Sequence, residues 1–446
     1  MKALVAVLAA VAMSLVISQC SSNPTSNTDD TGGSSSIRFV SAKNVSRETA
    51  PGVSDVDKAA LVKGNTAFAF DLYKQIAADA KYRGKNLFIS PYSVSVALAM
   101  TLAGAEGETE TQMHEALRFA LVEPNLHKAL NGLDLDMETA AGGQDNLTLS
   151  VVNALWGQYN WNFRVSFLYL LARNYGAGMN LLDFAADPDG SRITINQWVE
   201  GQTEEKIKDL LPPGSVGWET KLVLTNAIYF FADWLKQFDP ALTEESEFTS
   251  ANGEVVRTPF MALSGPDEEV KVLSAVTDKS KAVELPYAGN RFAMLAVMPK
   301  TADISIESFE DGFDTTELNA VITGLDSAEI KVKLPRFTFG TPSVSLKEPL
   351  QNLGMRIPFT GSADFSGIDS TGSLVISDVF HKAFIAVDEQ GTEAVAATAV
   401  VVYCVSMPFD PNFIADRPFI YFIRDRRTGA ILFMGRVMDP TDTGEA

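Results

Sequence analysis

Residues 376–398 read "ISDVFHKAFIAVDEQGTEAVAAT", and the chain continues "AVVVYCVSMP" to Pro408. Up to Val387 the residues are mostly β-branched, aromatic or small, the composition of a strand. A short charged turn follows, and after Glu393 no charged residue occurs before Pro408. A strand therefore runs into a turn and then into a long, small-residued, uncharged segment, where an ordinary surface connection would be polar.

The surrounding chain has 446 residues, 46% hydrophobic and 21% charged, which is a globular composition with length for a large core in one big domain or two. Thirty-six Lys and Arg stand against fifty-six Asp and Glu, for a net charge of -20. That balance opposes phosphate contacts, so neither nucleic acid nor a heparin-like polyanion is expected as a partner.

The opening "MKALVAVLAAVAMSLVISQCSS" has the layout of a secretion signal, too short for a membrane span. "ISQC" resembles a bacterial lipoprotein box, with Gln19 departing from the small residue usual there. Two outcomes stay open: residues 1–19 are removed and Cys20 is lipidated, or the chain is simply secreted after cleavage nearby. The expected location is extracellular or the cell envelope, with any membrane contact through that lipid alone. Residues 20–55, rich in Ser, Thr, Asn and Gly, read as a flexible tether. Residues 56–440 read as one folded domain and 441–446 as a tail. Cys404 is the second of two cysteines, and the pair sits at opposite ends of the chain.

Within the domain, "VDKAALVKGNTAFAFDLYKQIAADA" and "PYSVSVALAMTLAGA" read as an amphipathic and a buried helix. "TINQWVEGQTEEKIKDLLPPG" reads as a helix stopped by Pro212, and Thr109 as a helix cap. The later half is strand-like, with "FIYFIRDRRTGAILFMGRV" as a hairpin. The class is α+β with a substantial, mostly antiparallel sheet.

Chemistry-bearing patterns are scarce. Three histidines (His114, His127 and His381) and two cysteines assemble no familiar metal site, and no phosphate loop or nucleophile elbow occurs. His381 reads as a hydrogen-bonded structural residue in a strand. No cofactor is expected, and the chain is not read as an enzyme.

The strands and the opening stretch resemble the serpins, the serine proteinase inhibitor superfamily, from about Val56 to Pro440. The matching segments include "NLFISPYSVSVALAMTLAGAEGETETQM" at 86–113, "NALW" at 153–156, and "LVLTNAIYFFADWLKQFDP" at 222–240. They continue with "LPY" at 285–287, "LPRFTF" at 334–339, and "ADRPFIYFIRDRRTGAILFMGRV" at 415–437. Phe231, Ala232 and Gln390 depart from residues common in the family. The resemblance implies three β-sheets, about eight or nine helices and an exposed reactive loop, about 389–411, that a target protease attacks as a substrate. It further implies that the cut loop, still acyl-linked to the protease, enters the main sheet as a new strand. Serpin loop insertion is an established example of strand addition and of released strain.

Under that implication the hinge is Glu389, Gly391, Thr392, Glu393, Ala394, Ala396, Ala397 and Thr398. Gly391 lets the backbone swing. Strand alternation turns Thr392, Ala394, Ala396 and Thr398 inward after insertion, and Glu393 outward. Family spacing puts the scissile bond at Val405–Ser406, with a one-residue slip open, and Tyr403 and Cys404 as subsite residues. A small β-branched residue suits an elastase-like pocket, whereas cleavage after Tyr403 would imply a chymotrypsin-like target. A cysteine protease is a further expected target class. Ser90, Ser93 and Asn226 match family positions beneath the opening sheet. The expectation is a monomeric suicide inhibitor, and the alternative a non-inhibitory binding or chaperone protein on the same fold.

Overall fold

The computed structural model describes residues 36–142, 147–265, 268–392 and 412–444. Expectations for Cys20, for Glu393, Ala394, Ala396, Ala397 and Thr398, and for Tyr403, Cys404, Val405 and Ser406 lie outside the described residues.

In chain order the elements are β1 (Arg38–Val40), α1 (Asp55–Ala78), β2 (Leu87–Ile89), α2 (Pro91–Leu102), α3 (Gly107–Ala116) and α4 (Asn125–Ala141). Then come β3 (Leu147–Gln158), α5 (Val165–Tyr175), β4 (Met179–Leu182), α6 (Pro188–Gln202), β5 (Leu222–Asp233), β6 (Glu244–Thr249) and β7 (Val255–Ala262). β8 (Val270–Val276), β9 (Ser280–Pro286) and β10 (Phe292–Pro299) precede α7 (Ile306–Gly312) and α8 (Thr315–Thr323). β11 (Asp326–Ile330), β12 (Val332–Pro335), β13 (Phe337–Gly340), β14 (Val344–Ser345) and α9 (Lys347–Asn352) lead to β15 (Ile376–Val387) and β16 (Gly391–Thr392). β17 (Phe413–Ile414), β18 (Phe419–Asp425) and β19 (Ile431–Val437) complete the chain.

Three sheets result. The largest runs β1-β4-β3-β5-β16-β15-β13, with β14 beside β15. The second runs β11-β8-β9-β10-β18-β19-β2, and the third β17-β12-β7-β6. The expected α+β class and three sheets stand, and the nine α-helices among the described residues match the expected eight or nine.

Local chemistry starts the helices that carry the large sheet. Ser54 accepts from the Asp57 N–H and caps α1, with Asp55 and Asp57 in the positive first turn. Ser90 caps α2 by accepting from Ser93 N–H, with Pro91 preset at the first helical position. α2 is almost wholly buried because it lies in the main core, between the large sheet and the second one. A smaller core lies apart, where Trp156, Val223 and Phe380 of the large sheet meet Ile195 and Val199 of α6.

Three expectations change. The helix expected to reach Pro212 ends at Gln202; Glu204, Glu205 and Asp209 have positive φ and cannot continue it. Residues 203–211 fold back instead. Leu211 N–H donates to Asn196 Oδ1, Asn196 Nδ2 donates to Leu211 O, and Leu210 and Leu211 enter the smaller core. Thr109 caps nothing. It is buried inside α3, whose cap position is Glu106, and its hydroxyl accepts from Asp364 N–H.

The tether expected over residues 20–55 is also too long. β1 pairs antiparallel with β4 as Arg38↔Leu181 to Val40↔Met179. Arg47 donates to Asn131, Asp134 and Glu138 of α4, and Glu48 N–H donates to Arg173 O of α5. Composition suggested a free chain, but one arginine fork and a short edge strand bind it to the domain.

Candidate functional site: the hinge and the gap it enters

β5 and β15 lie side by side and parallel, paired from Leu222↔Ile376 to Ile228↔Ala383. Above that point they are separated by β16. Gly391 faces Asp233 and Thr392 faces Ala232 on β5, while Thr392 faces Val387 on β15. The first two residues after the turn are therefore already a strand in the middle of the sheet, antiparallel to both neighbours.

The turn that reverses the chain is built by Asp388. Its carboxylate accepts from Gln390 N–H at 2.9 Å and Gly391 N–H at 3.2 Å, and its own N–H donates to Gly391 O at 2.9 Å. Burial pushes its pKa up, against the pull of those two N–H donors. Gly391 is demanded by space rather than by an unusual φ: a Cβ there would lie 2.0 Å from Ala232 O.

Three groups hold this turn in place. Trp234 donates its indole N–H to Asp388 O at 2.8 Å and its backbone N–H to Gln390 O at 2.7 Å. Tyr287 stacks on Trp234, with ring centres 4.6 Å apart, and its hydroxyl meets the buried Thr392 hydroxyl at 2.9 Å. Glu389 accepts from Arg336 Nε at 2.8 Å and Nη2 at 2.6 Å, and from the Thr243 hydroxyl. Burial raises the Glu389 pKa, but the Arg336 and Thr243 hydrogen bonds outweigh it and hold the carboxyl below its ordinary value.

Below the hinge, where β5 and β15 touch, a buried polar chain crosses the sheet. Ser90 N–H donates to His381 Nε2 at 3.1 Å, which leaves Nδ1 as the protonated nitrogen, donating to Asn226 Oδ1 at 2.5 Å. Asn226 Nδ2 donates to Ser93 Oγ and to Asn153 Oδ1, and Ser93 Oγ also donates to Asn153 Oδ1. Burial pushes the His381 pKa down to about 3. Both ring nitrogens are occupied by structural partners, so His381 is the structural residue expected and has no nitrogen free to act as a base.

Of the expected hinge, the structure places Glu389, Gly391 and Thr392 together at the top of the gap. Ser90, Ser93 and Asn226 join His381 beneath it. Trp234, Tyr287, Arg336 and Thr243 were not singled out in the sequence. The first three stand inside "YFFADW", "LPY" and "LPRFTF", so the signal was a polar or aromatic residue at a strand end within a family-like segment, without a partner visible nearby.

Comparison with known proteins agrees with this architecture. The family model "Serpin (serine protease inhibitor)" matches residues 63–440. An uncharacterized serpin-like protein of Methanosarcina acetivorans is 36% identical over 393 residues, covering 86% of this chain and 87% of that protein. Leukocyte elastase inhibitor of Sus scrofa is 37% identical over 388 residues, covering 85% and 99% respectively. Among solved structures, the thermophilic serpin tengpin in its native state has a TM-score of 0.75 at 28% identity, covering 90% of this chain and 97% of that one. Uncleaved ovalbumin has a TM-score of 0.74 at 27% identity, covering 85% and 100%.

Proposed function

The chain belongs to the serpin family, and from that premise we propose that it is a suicide inhibitor of serine proteases, elastase-like ones preferred. One observation carries the reading: Gly391 and Thr392 already occupy a strand position between β5 and β15. A loop cut beyond them needs only to continue the same register, separating β5 from β15 as it goes. The target attacks Val405–Ser406 with its serine, and insertion carries the acyl-enzyme away before water can release it. Inserting about ten residues adds backbone hydrogen bonds worth roughly 1 kcal/mol each net, partly offset by ordering entropy. The expectation of small or uncharged residues on the inward face follows from that burial, and Thr392 is the first of them.

The elastase preference rests on Val405 and is supported by the leukocyte elastase inhibitors among the relatives. Secretion, with Cys20 lipidated or removed, puts the inhibitor where such proteases act. It works as a monomer, without cofactor. The test is to mix the full chain with pancreatic elastase and with chymotrypsin, and to look for a covalent complex that survives boiling in detergent. Only cleaved inhibitor and fully active protease would instead favour a carrier or chaperone role for the same fold.

A further inference from the structure

The ladder between β5 and β15 is irregular where it begins. Ile376 faces Leu222 and Asp378 faces Val223, so Ser377 is an extra residue bulged out of the pairing. A bulge re-aims the chain around it. Here the Ser377 carbonyl turns to Lys347 and accepts from its ammonium at 3.2 Å.

An open cleft of about 370 Å³ lies at this bulge, a volume suited to a small molecule. One wall is the turn Gly217–Thr220 that leads into β5, and another is Val375–Ser377 at the start of β15. The turn is closed by Gly217 N–H donating to Thr220 Oγ at 2.9 Å, and it leaves Trp218 with 67% of its surface exposed. The buried Phe359 ring and Lys347 complete the lining, the ammonium 5.8 Å from the ring centre.

Lys347 is the chemical centre of this cleft. Ser377 O takes one of its three donors, and among the described residues no carboxylate pairs with it. Asp378 is near enough to feel its charge, but the Asp378 oxygens accept from Ser345 Oγ and Val379 N–H. The chain has fifty-six carboxylate side chains for thirty-six Lys and Arg, and still this half-buried ammonium is left without an ion pair. Two aromatic rings beside a cation with spare donors complement a flat apolar body that ends in an anion. Glu219 stands exposed on the rim and disfavours a second negative charge, which selects a monoanion.

We propose that this cleft binds a small aromatic monocarboxylate, its ring against Trp218 and Phe359 and its carboxylate on Lys347, and that the bound molecule clamps β5 to β15. The clamp rests on the inhibitory reading above, in which these two strands part; the binding site does not. One wall moves with β5 and the other with β15, so a ligand touching both loses contacts when the strands separate. It therefore binds the closed sheet more tightly than the parted one, and that difference is what shifts the balance. Ten-fold weaker binding to the parted sheet raises the ratio of closed to parted forms about ten-fold at saturation.

The test titrates naphthylacetate and its uncharged counterpart naphthylacetamide into the full chain by calorimetry. The acid is expected to bind saturably and about ten-fold more tightly than the amide. Lys347→Gln should abolish that preference and Lys347→Arg retain it, while Trp218→Ala weakens both ligands about ten-fold. Unchanged melting temperatures show that the variants are folded. No binding of the acid, equal affinity for acid and amide, or a preference that survives Lys347→Gln overturns the site. Saturating naphthylacetate should also slow amide hydrogen exchange several-fold at 222–224 and 376–380 in the wild type but not in Lys347→Gln. Unchanged exchange overturns the clamp. With pancreatic elastase, the same ligand should lower the yield of detergent-stable complex and raise that of free cleaved protein, and an unchanged ratio likewise overturns the clamp. Absence of any complex without ligand removes the inhibitory reading, in which case calorimetry and exchange alone decide the site and the clamp.

Discussion

Glu389 is a buried carboxylate whose charge is matched by a single arginine, and its position at the mouth of the gap makes that match consequential. Removing one member of such a pair leaves the other charge uncompensated. Glu389→Ala is expected to destabilise the intact protein by about 3 kcal/mol, read from the urea midpoint. Arg336→Ala should cost a similar amount and the double variant well under their sum. The carboxyl is held below its ordinary pKa, so this contribution is present above the unfolded value near 4.5 and fades as pH falls through the folded one. His381 titrates with its own window. Its folded pKa of about 3 lies below the ordinary 6.5, so the unfolded chain binds the proton first and stability falls as pH drops through 6.5. Between pH 7 and pH 5 the wild type should lose about 2 kcal/mol relative to His381→Asn, measured as the difference in their pH–stability slopes. His381 was legible as structural because it lay in a strand pattern, but its partners at the cap of α2 and on β5 are 291 and 155 residues away. The same separation hid Trp234, Tyr287 and Arg336, since a residue's role at a strand end depends on what the fold brings opposite.

At the scale of the element, β16 is a two-residue strand on which the proposed inhibitory cycle would turn. Its inward face is already committed, with Thr392 packed on Tyr287. Thr392→Arg would place a guanidinium in the buried site where the Thr392 hydroxyl meets Tyr287, a burial costing several kcal/mol. The variant's loop should be cut by elastase at the wild-type rate, but the product should be mostly free cleaved protein, whereas Thr392→Val retains trapping. Equal complex yields from Arg and Val, quantified by densitometry, would remove insertion from the explanation. Element identity was largely readable, because strands such as β18 and β19 carry dense β-branched and aromatic runs around a clear turn. Element ends were less so. α6 keeps an amphipathic pattern beyond Gln202 because Ile207, Leu210 and Leu211 are buried in the smaller core, but as a folded-back strap rather than as helix. Burial periodicity records which residues face inward and is silent on whether the backbone has changed direction.

For the whole molecule, the intact protein holds β5 and β15 in contact over the lower gap, although a further strand could lie between them. Under the proposed inhibitory mechanism, cleavage frees the chain beyond Thr392 to enter there. Protein cut once in its loop should therefore melt about 10 °C above the intact protein in calorimetry, given about ten added hydrogen bonds of about 1 kcal/mol each. Equal melting temperatures would show that the cut loop does not enter. The fold at this scale was legible from the order of many weak segments together, whereas the ordered stretch before α1 was not, since its composition matches a free chain and only Arg47 and β1 give it a place. That same stretch has a counterpart. β1 covers the β4 rim of the large sheet, and at the opposite rim Gly444 bridges Gly340 of β13. A sheet that widens, as the proposed mechanism requires, cannot close into a barrel, and its bare rims would recruit other chains. Here residues from the two ends of the described chain act as selvedges, finishing both borders of the fabric while its middle stays open to a new thread. Trimming either segment to shorten the protein would leave the inhibitory centre intact on paper and yet fray the molecule into a template for assembly.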